Sequence, residues 1–320
     1  MAPILDIRDL RTHFFTTRGV ARAVDGVSLT VPRGETMAVV GESGCGKTML
    51  ALSVLRLVPE PPGRIVGGEV LFDGVDLLSL SEKQMRSVRG NHISMIFQEP
   101  MTSLNPVFKV GDQIAEAIEL HQKTTPAEAA EAAVEMLRLV GIPNPENSAQ
   151  SYPHEMSGGM RQRVVIAMAL ACDPELVLAD EPTTALDVTI QAQILELMLG
   201  LTRDKDASIL LITHDLGIVA QSCSRVAVMY AGKVVEQAPV IDLFREPLHP
   251  YTQGLMHSIP RLGTRGGKLT PIQGIVPSLT DLPRGCHFNP RCPHAFDRCR
   301  NELPPLIMRN GQGVRCWLHE

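Results

Sequence analysis

The segment Gly41-Glu42-Ser43-Gly44-Cys45-Gly46-Lys47-Thr48 constrains this chain more than any other. It fits the pattern G-x-x-x-x-G-K-[ST]. Before it lies a short apolar run, Thr36 to Val40; after it, Met49 to Val58 is apolar and free of Gly and Pro until Pro59. That order reads as strand, loop and helix. Glycines let backbone amides turn inward around phosphate oxygens, and the helix adds unpaired N–H groups and the positive end of its dipole. On this pattern Gly41, Ser43, Gly44, Cys45 and Gly46 form a phosphate cradle. Lys47 reaches the β- and γ-phosphates, and the Thr48 hydroxyl is a Mg2+ ligand. A chance glycine turn explains less, because the strand ends and the helix begins where such a loop needs them.

The mate of such a loop is a carboxylate at the end of a buried strand. Leu176-Val177-Leu178-Ala179-Asp180 supplies one, and Glu181 follows at once. Asp180 is expected to hold Mg2+, directly or through water. Glu181 is placed to orient or deprotonate attacking water. Adjacent acids after an apolar run are common; the pairing with the glycine loop gives these two their weight. Further strands are expected at Val27–Val31, where apolar and polar residues alternate, and at Val70–Phe72, Ile93–Phe97, Ser208–Thr213 and Val226–Tyr230. Strands alternating with helical patterns imply an α/β layer with a largely parallel sheet. Between Val110 and Val140, two stretches rich in Ala, Glu and Leu predict a helical insertion. Pro143 to Pro153 reads as a loop, and helix resumes near Ser157.

Beyond Phe244 the chain becomes rich in Pro and Gly, so a boundary is expected near residue 245, giving domains 1–245 and 246–320. The tail is too irregular for a large core of its own and needs docking or a metal staple. Four of the seven cysteines, Cys286, Cys292, Cys299 and Cys316, crowd into it with the spacing C-x5-C-x6-C-x16-C. In a reducing compartment such a group suggests metal before disulfide. Four thiolates can bind Zn2+ or an iron–sulfur cluster. The absence of C-x-x-C pairs argues mildly against zinc, His287, His294 and His319 are alternative ligands, and four free thiols remain the plain alternative.

With 44% hydrophobic and 20% charged residues among 320, the composition is that of a soluble globular protein. A net charge of −5 gives no electrostatic footprint for nucleic acid. No apolar run approaches the roughly 20 residues that cross a bilayer. The first ten residues lack the features of a signal peptide. The chain is therefore expected in the cytoplasm, with any membrane role exerted through a partner.

Between the glycine loop and the acidic pair's strand lies Ser157-Gly158-Gly159-Met160-Arg161-Gln162-Arg163, followed by an apolar helix. This resembles the signature of ABC ATPases. The usual form begins with Leu and carries Gln after the glycines, where this chain has Met156 and Met160. The hydroxyl, exposed amides and helix start that remain make a second phosphate site. The resemblance implies an α/β fold: a P-loop NTPase ABC cassette with a RecA-like core, an antiparallel β edge, a helical subdomain at about 99–165 and a small irregular C-terminal extension. It also implies residue roles. Gln98 senses Mg2+ and water, Asp187 of Ala185-Leu186-Asp187 lies on the loop that crosses to an opposing subunit, and His214 contacts the γ-phosphate. Phe14, preferred over Phe15, stacks on adenine. The family further implies a head-to-tail dimer that holds ATP between Gly41–Thr48 of one subunit and Ser157, Gly158 and Gly159 of the other.

His249-Pro250-Tyr251-Thr252, the cysteine-rich end, Glu42-Ser43 and Asn105-Pro106 resemble the ATPases of oligopeptide and dipeptide importers. This implies ATP hydrolysis coupled to peptide import at the cytoplasmic face of the inner membrane. The implied partners are two transmembrane permease subunits, a second ABC ATPase subunit (homologous chain or self) and an extracytoplasmic substrate-binding protein, with no nucleic acid. Related importers carry nickel, glutathione or sugars. The same resemblance favours a [4Fe–4S] cluster on the tail cysteines, with Zn2+ as the alternative. Glu99 to Pro106 faces the transmembrane subunits in the family; as sequence it reads equally well as a docking surface or a linker. Two other readings compete. A soluble ABC ATPase acting on ribosomes or DNA usually has two cassettes or a long coiled coil, neither of which appears. A metal-binding regulator with a vestigial nucleotide site is opposed by the presence of Lys47, Asp180, Glu181 and His214.

Overall fold

The computed structural model describes residues 2–98, 103–183, 188–204, 206–258 and 271–320. The strands among them are β1 (Leu5–Thr16), β2 (Gly19–Val31), β3 (Thr36–Val40), β4 (Gly63–Phe72), β5 (Val75–Asp76) and β6 (Ile93–Ile96). They continue with β7 (Leu176–Asp180), β8 (Ser208–Thr213), β9 (Arg225–Tyr230), β10 (Lys233–Pro239), β11 (Ile307–Arg309) and β12 (Gln312–Val314). The chain divides into two compact units. One comprises Met1–Ile4, Pro32–Glu35 and Ser79–Leu211; the other comprises Leu5–Val31, Thr36–Leu78 and Ile212–Glu320.

In the first unit β6 runs parallel to β7, with Ile93 opposite Leu176 and Ile96 opposite Ala179. Every residue of β7 is buried. The amide of Ser208, the first residue of β8, donates to the carbonyl of Glu175 at 2.9 Å. The predicted helical insertion forms two helices. Val110–His121 buries Val110, Ile114 and Ile118, and Pro126–Leu139 buries Ala129, Ala133 and Leu137. The spacing of four places each set on one face. The second helix starts on a reciprocal cap, the Thr125 hydroxyl taking the Glu128 amide and the Glu128 carboxylate taking the Thr125 amide. The stretch read as a loop, Pro143 to Pro153, contains a short helix, Pro145–Ser148, whose proline occupies a first-turn position that needs no N–H donor.

In the second unit an antiparallel sheet has the order β2-β1-β4-β5. The alternation seen at Val27, Leu29 and Val31 is borne out: all three are buried, with Ser28 and Thr30 exposed between them. β1 has no such signature. Leu5 and Ile7 are buried, then Leu10 and Thr12, because register shifts between Ile7 and Leu10 change which parity faces inward. The same unit holds the run β11-β12-β10-β9-β3, in which β3 is parallel to β9 and the other pairs are antiparallel. The helix after the glycine loop is Lys47–Val54 and ends four residues before the apolar stretch does. Arg56 takes φ 52, Leu57 N donates to Leu52 O and Arg56 N to Ser53 O. This left-handed closure stops the helix before Pro59 does.

The tail is docked. β12 pairs with β10, and Phe288 packs fully buried with Tyr230 and Tyr251. The Glu236 carboxylate, 0% exposed, accepts the amides of Leu248 at 2.7 Å and His249 at 2.8 Å. Those bonds satisfy two buried donors where the chain leaves the core. Among the described residues no helix is long and apolar enough to cross a membrane.

Candidate functional site

β3 ends at Val40 and the helix begins at Lys47, so Gly41 to Gly46 must reverse direction in six residues. Two glycines are dictated by space as well as by backbone angle. A Cβ on Gly46 (φ 108) would stand 2.0 Å from the Ala23 carbonyl oxygen, and one on Gly41 would stand 2.2 Å from that of Met229. No larger residue fits either position. Gly46 also precedes the first helical turn, and no side chain caps the turn's free amides. The Lys47 ammonium, 5% exposed, donates to Gly41 O at 2.8 Å and Glu42 O at 3.3 Å. Its position is thus held by the loop's own carbonyls. Cys45 is fully buried, and burial pushes its thiol pKa up despite the charge of Lys47. It fills space beneath the loop as a small apolar residue.

In the other unit β7 delivers Asp180, 2% exposed, at its final position. Glu181 follows with φ 44, a left-handed conformation that costs a non-glycine residue about 1–3 kcal/mol and concentrates at functional sites. Gln98, two residues past β6 and exposed, donates from Nε2 to Glu181 Oε2 at 3.1 Å. The predicted water-sensing glutamine and the predicted base are therefore partners. Gln162, 1% exposed, donates to the Pro182 carbonyl at 2.6 Å and fixes the chain beyond Glu181 to the helix Gly158–Leu170. That helix starts as predicted. The Ser157 hydroxyl accepts the Met160 amide at 3.3 Å, and Ser157 and Gly158 lie exposed. The exposed start can present a hydroxyl and free amides to an anion.

His214 is exposed immediately after β8. Phe14 packs its ring edge against the backbone of Gly63 in β4, whereas Phe15, beside it, is 52% exposed. Asp187, with Ala185 and Leu186, lies outside the described residues, as do Glu99 to Thr102 of the segment read as docking surface or linker.

Residues 24–184, which run from β2 through Asp180, match the ABC transporter family. The chain belongs to that family. Residues 235–299 of this cassette match the C-terminal region of oligopeptide and dipeptide transporters. A probable peptide ABC transporter ATP-binding protein of Sinorhizobium fredii is 57% identical, over 98% of this chain and 94% of that one. The oligopeptide transport ATP-binding protein AppD of Bacillus subtilis is 51% identical, over 100% and 98%. Among solved structures, the dimeric ATP-binding cassette MJ0796 in a post-hydrolysis state with ADP and phosphate superposes with a TM-score of 0.66 at 25% identity. It covers 74% of this chain and 98% of that one. The ABC cassette fold and the ATPase chemistry expected from the sequence are thereby established for this chain.

The tail cysteines converge. Cys286, Cys292, Cys299 and Cys316 line one small cavity, with room for about one water molecule, together with His249, His294 and Phe288. Burial first, and then the neighbouring thiols, push Cys286 up to about 12; burial likewise raises Cys316 to about 11. Among the described residues no group of three or more His, Cys, Asp or Glu is drawn together tightly enough to hold a metal ion. His249 is 1% exposed and burial holds it neutral, its pKa pushed down to about 3. Its Nδ1 accepts the Tyr251 amide at 3.0 Å, so the ring proton belongs on Nε2. Among the described residues that Nε2 makes no hydrogen bond of good geometry, although the Arg315 backbone is close enough to interact with the ring.

One set of contacts had no sequence signal beyond the tail motif itself. Arg291 grips Glu42 of the glycine loop with both terminal guanidinium nitrogens. The Tyr251 hydroxyl, from the same tail, accepts the Glu42 amide at 2.9 Å.

Proposed function

We propose that this ABC cassette is the ATP-hydrolysing subunit of an importer for dipeptides and oligopeptides at the cytoplasmic face of the cell membrane. One observation carries the reading. An intact phosphate loop and acidic pair stand in a chain whose tail matches the oligopeptide and dipeptide transporter region, with peptide-transport relatives aligned over nearly its whole length.

In this reading Lys47 and the amides of Gly41 to Thr48 hold the triphosphate. Thr48, Asp180 and Gln98 offer the hard oxygen donors that suit Mg2+. Bound there, Mg2+ would neutralise charge on the phosphoryl group being transferred. Glu181, oriented by Gln98, positions and deprotonates the attacking water, and His214 contacts the γ-phosphate. Phe14 of β1 supplies the aromatic face for adenine, with Phe15, the more exposed ring, as the alternative. Ser157, Gly158 and Gly159 bind the triphosphate of a second cassette, with Asp187 on the loop between the two. ATP then favours the closed pair only by binding it better than the open one. The cassette pairs with a second ABC ATPase subunit and two permease subunits, served by an extracytoplasmic binding protein.

The tail cysteines are proposed to hold an iron–sulfur cluster, [4Fe–4S] in preference to Zn2+. The four thiols that line this small cavity are a donor set for either group, and the tail's resemblance to the peptide-importer ATPases favours the cluster. The Nε2–H of His249, in that wall, would suit a donor to cluster sulfur. The cluster would act as a structural staple or a regulatory element.

The test is reconstitution of the chain with its permease subunits in lipid vesicles. Peptide-loaded binding protein should stimulate ATP hydrolysis and peptide should accumulate. Hydrolysis stimulated by a non-peptide cargo alone would replace the peptide assignment, and absence of ATP binding would end the reading.

A further inference from the structure

A phosphate-binding loop works by gathering positive potential: inward amides, a helix start and one lysine. Glu42, the second residue of this loop, brings a carboxylate into that assembly. The structure deals with it specifically. Arg291, whose side chain is 3% exposed, meets it through Nη1–Oε2 at 2.6 Å and Nη2–Oε1 at 3.0 Å, the forked geometry in which guanidinium and carboxylate bind most strongly. Arg291 is itself fixed, donating to Gln273 O at 3.1 Å and lying over the rings of Tyr230 and Phe288. Tyr251 holds the Glu42 amide from the same side. Glu42 is thereby turned toward the tail and its charge cancelled.

We infer that Arg291 is a positioning residue for the nucleotide site: it draws the Glu42 carboxylate away from the phosphate cradle and neutralises it, so that the tail tunes the loop's affinity for a triphosphate. The inference rests on the ATP-binding reading of the loop. It adds a function for the extension besides holding itself in place, and it gives the region around Cys286 and Cys292, which flank Arg291 in sequence, a short path to the nucleotide.

The experiment titrates the full-length chain with a fluorescent, non-hydrolysable ATP analogue, with thermal melts as a fold control. Arg291→Ala leaves Glu42 uncompensated beside the anion, and the dissociation constant should rise about ten-fold. Arg291→Ala combined with Glu42→Gln should return to within about two-fold of wild type, although the tail has lost both ends of the contact. Were the pair merely structural, the double variant would bind no better than Arg291→Ala; that result, or unchanged affinity in Arg291→Ala, overturns the inference. If Arg291→Ala does not fold, Arg291→Lys decides. It keeps the charge and loses the fork, so its loss should be smaller than ten-fold and again relieved by Glu42→Gln; a loss that Glu42→Gln leaves unchanged overturns the inference. Failure of the wild-type chain to bind the analogue would instead overturn the ATP-binding reading itself.

Discussion

Nε2 of Gln98 lies 3.1 Å from Oε2 of Glu181, joining the segment after β6 to the residue after β7. The contact orients the carboxylate. Glu181→Gln keeps the shape and removes the base. Turnover should fall by about 10²–10⁴-fold while ATP stays bound, measured as phosphate release together with retained labelled nucleotide. Near-normal hydrolysis would remove Glu181 from the mechanism.

Lys47 is nearly buried and held by Gly41 O and Glu42 O, so its ammonium needs no reorganisation to meet a phosphate. Lys47→Ala should weaken binding of a fluorescent ATP analogue by about ten-fold or more, the worth of one charge-assisted hydrogen bond. Unchanged affinity would show that the lysine serves only the loop's own carbonyls.

The cysteine cavity makes a separate claim. Protein purified without oxygen should contain about four iron and four sulfide per chain, with the broad visible absorption of a cluster. Cys299→Ser, altering a wall residue that is only 7% exposed, should lower both. His249→Phe should leave the iron content in place but shift the reduction potential, since it deletes the Nε2–H donor. A colourless, metal-free protein would cancel the assignment, and stoichiometric zinc would replace it with the alternative.

Glu236 predicts a pH effect on stability. Burial raises its carboxyl pKa more than the Thr252 side chain and the amides of Leu248 and His249 lower it. A carboxyl whose folded pKa exceeds its unfolded value binds more protons in the folded chain. Stability therefore declines as pH rises from the ordinary glutamate value, about 4.3, through the folded value. Glu236→Gln should melt lower overall, by about 1–3 kcal/mol, because an amide N–H now faces a backbone N–H. Yet its melting temperature should change less than the wild type's between pH 5 and pH 8. Equal pH slopes would show that Glu236 does not titrate in that window.

Local chemistry determined much of this protein. The glycine loop, the buried strand ending at Asp180, the Ser157 cap and the two insertion helices each depend on residues within a few positions of one another, and each was legible in the sequence. β1 was not, because register shifts break its alternation and only its pairing with β2 and β4 defines it. The length of the helix after the loop was misread for a related reason: apolar character continues to Val58, but the backbone turns at Arg56. The grip of Arg291 on Glu42 spans 249 positions, and the burial of Phe288 between Tyr230 and Tyr251 joins segments tens of positions apart. Hydrophobic period and turn chemistry report on neighbours along the chain. Which distant side chain neutralises a given charge, or fills a given gap, is settled only when the sheet has brought them together, and there the tertiary structure alone decided.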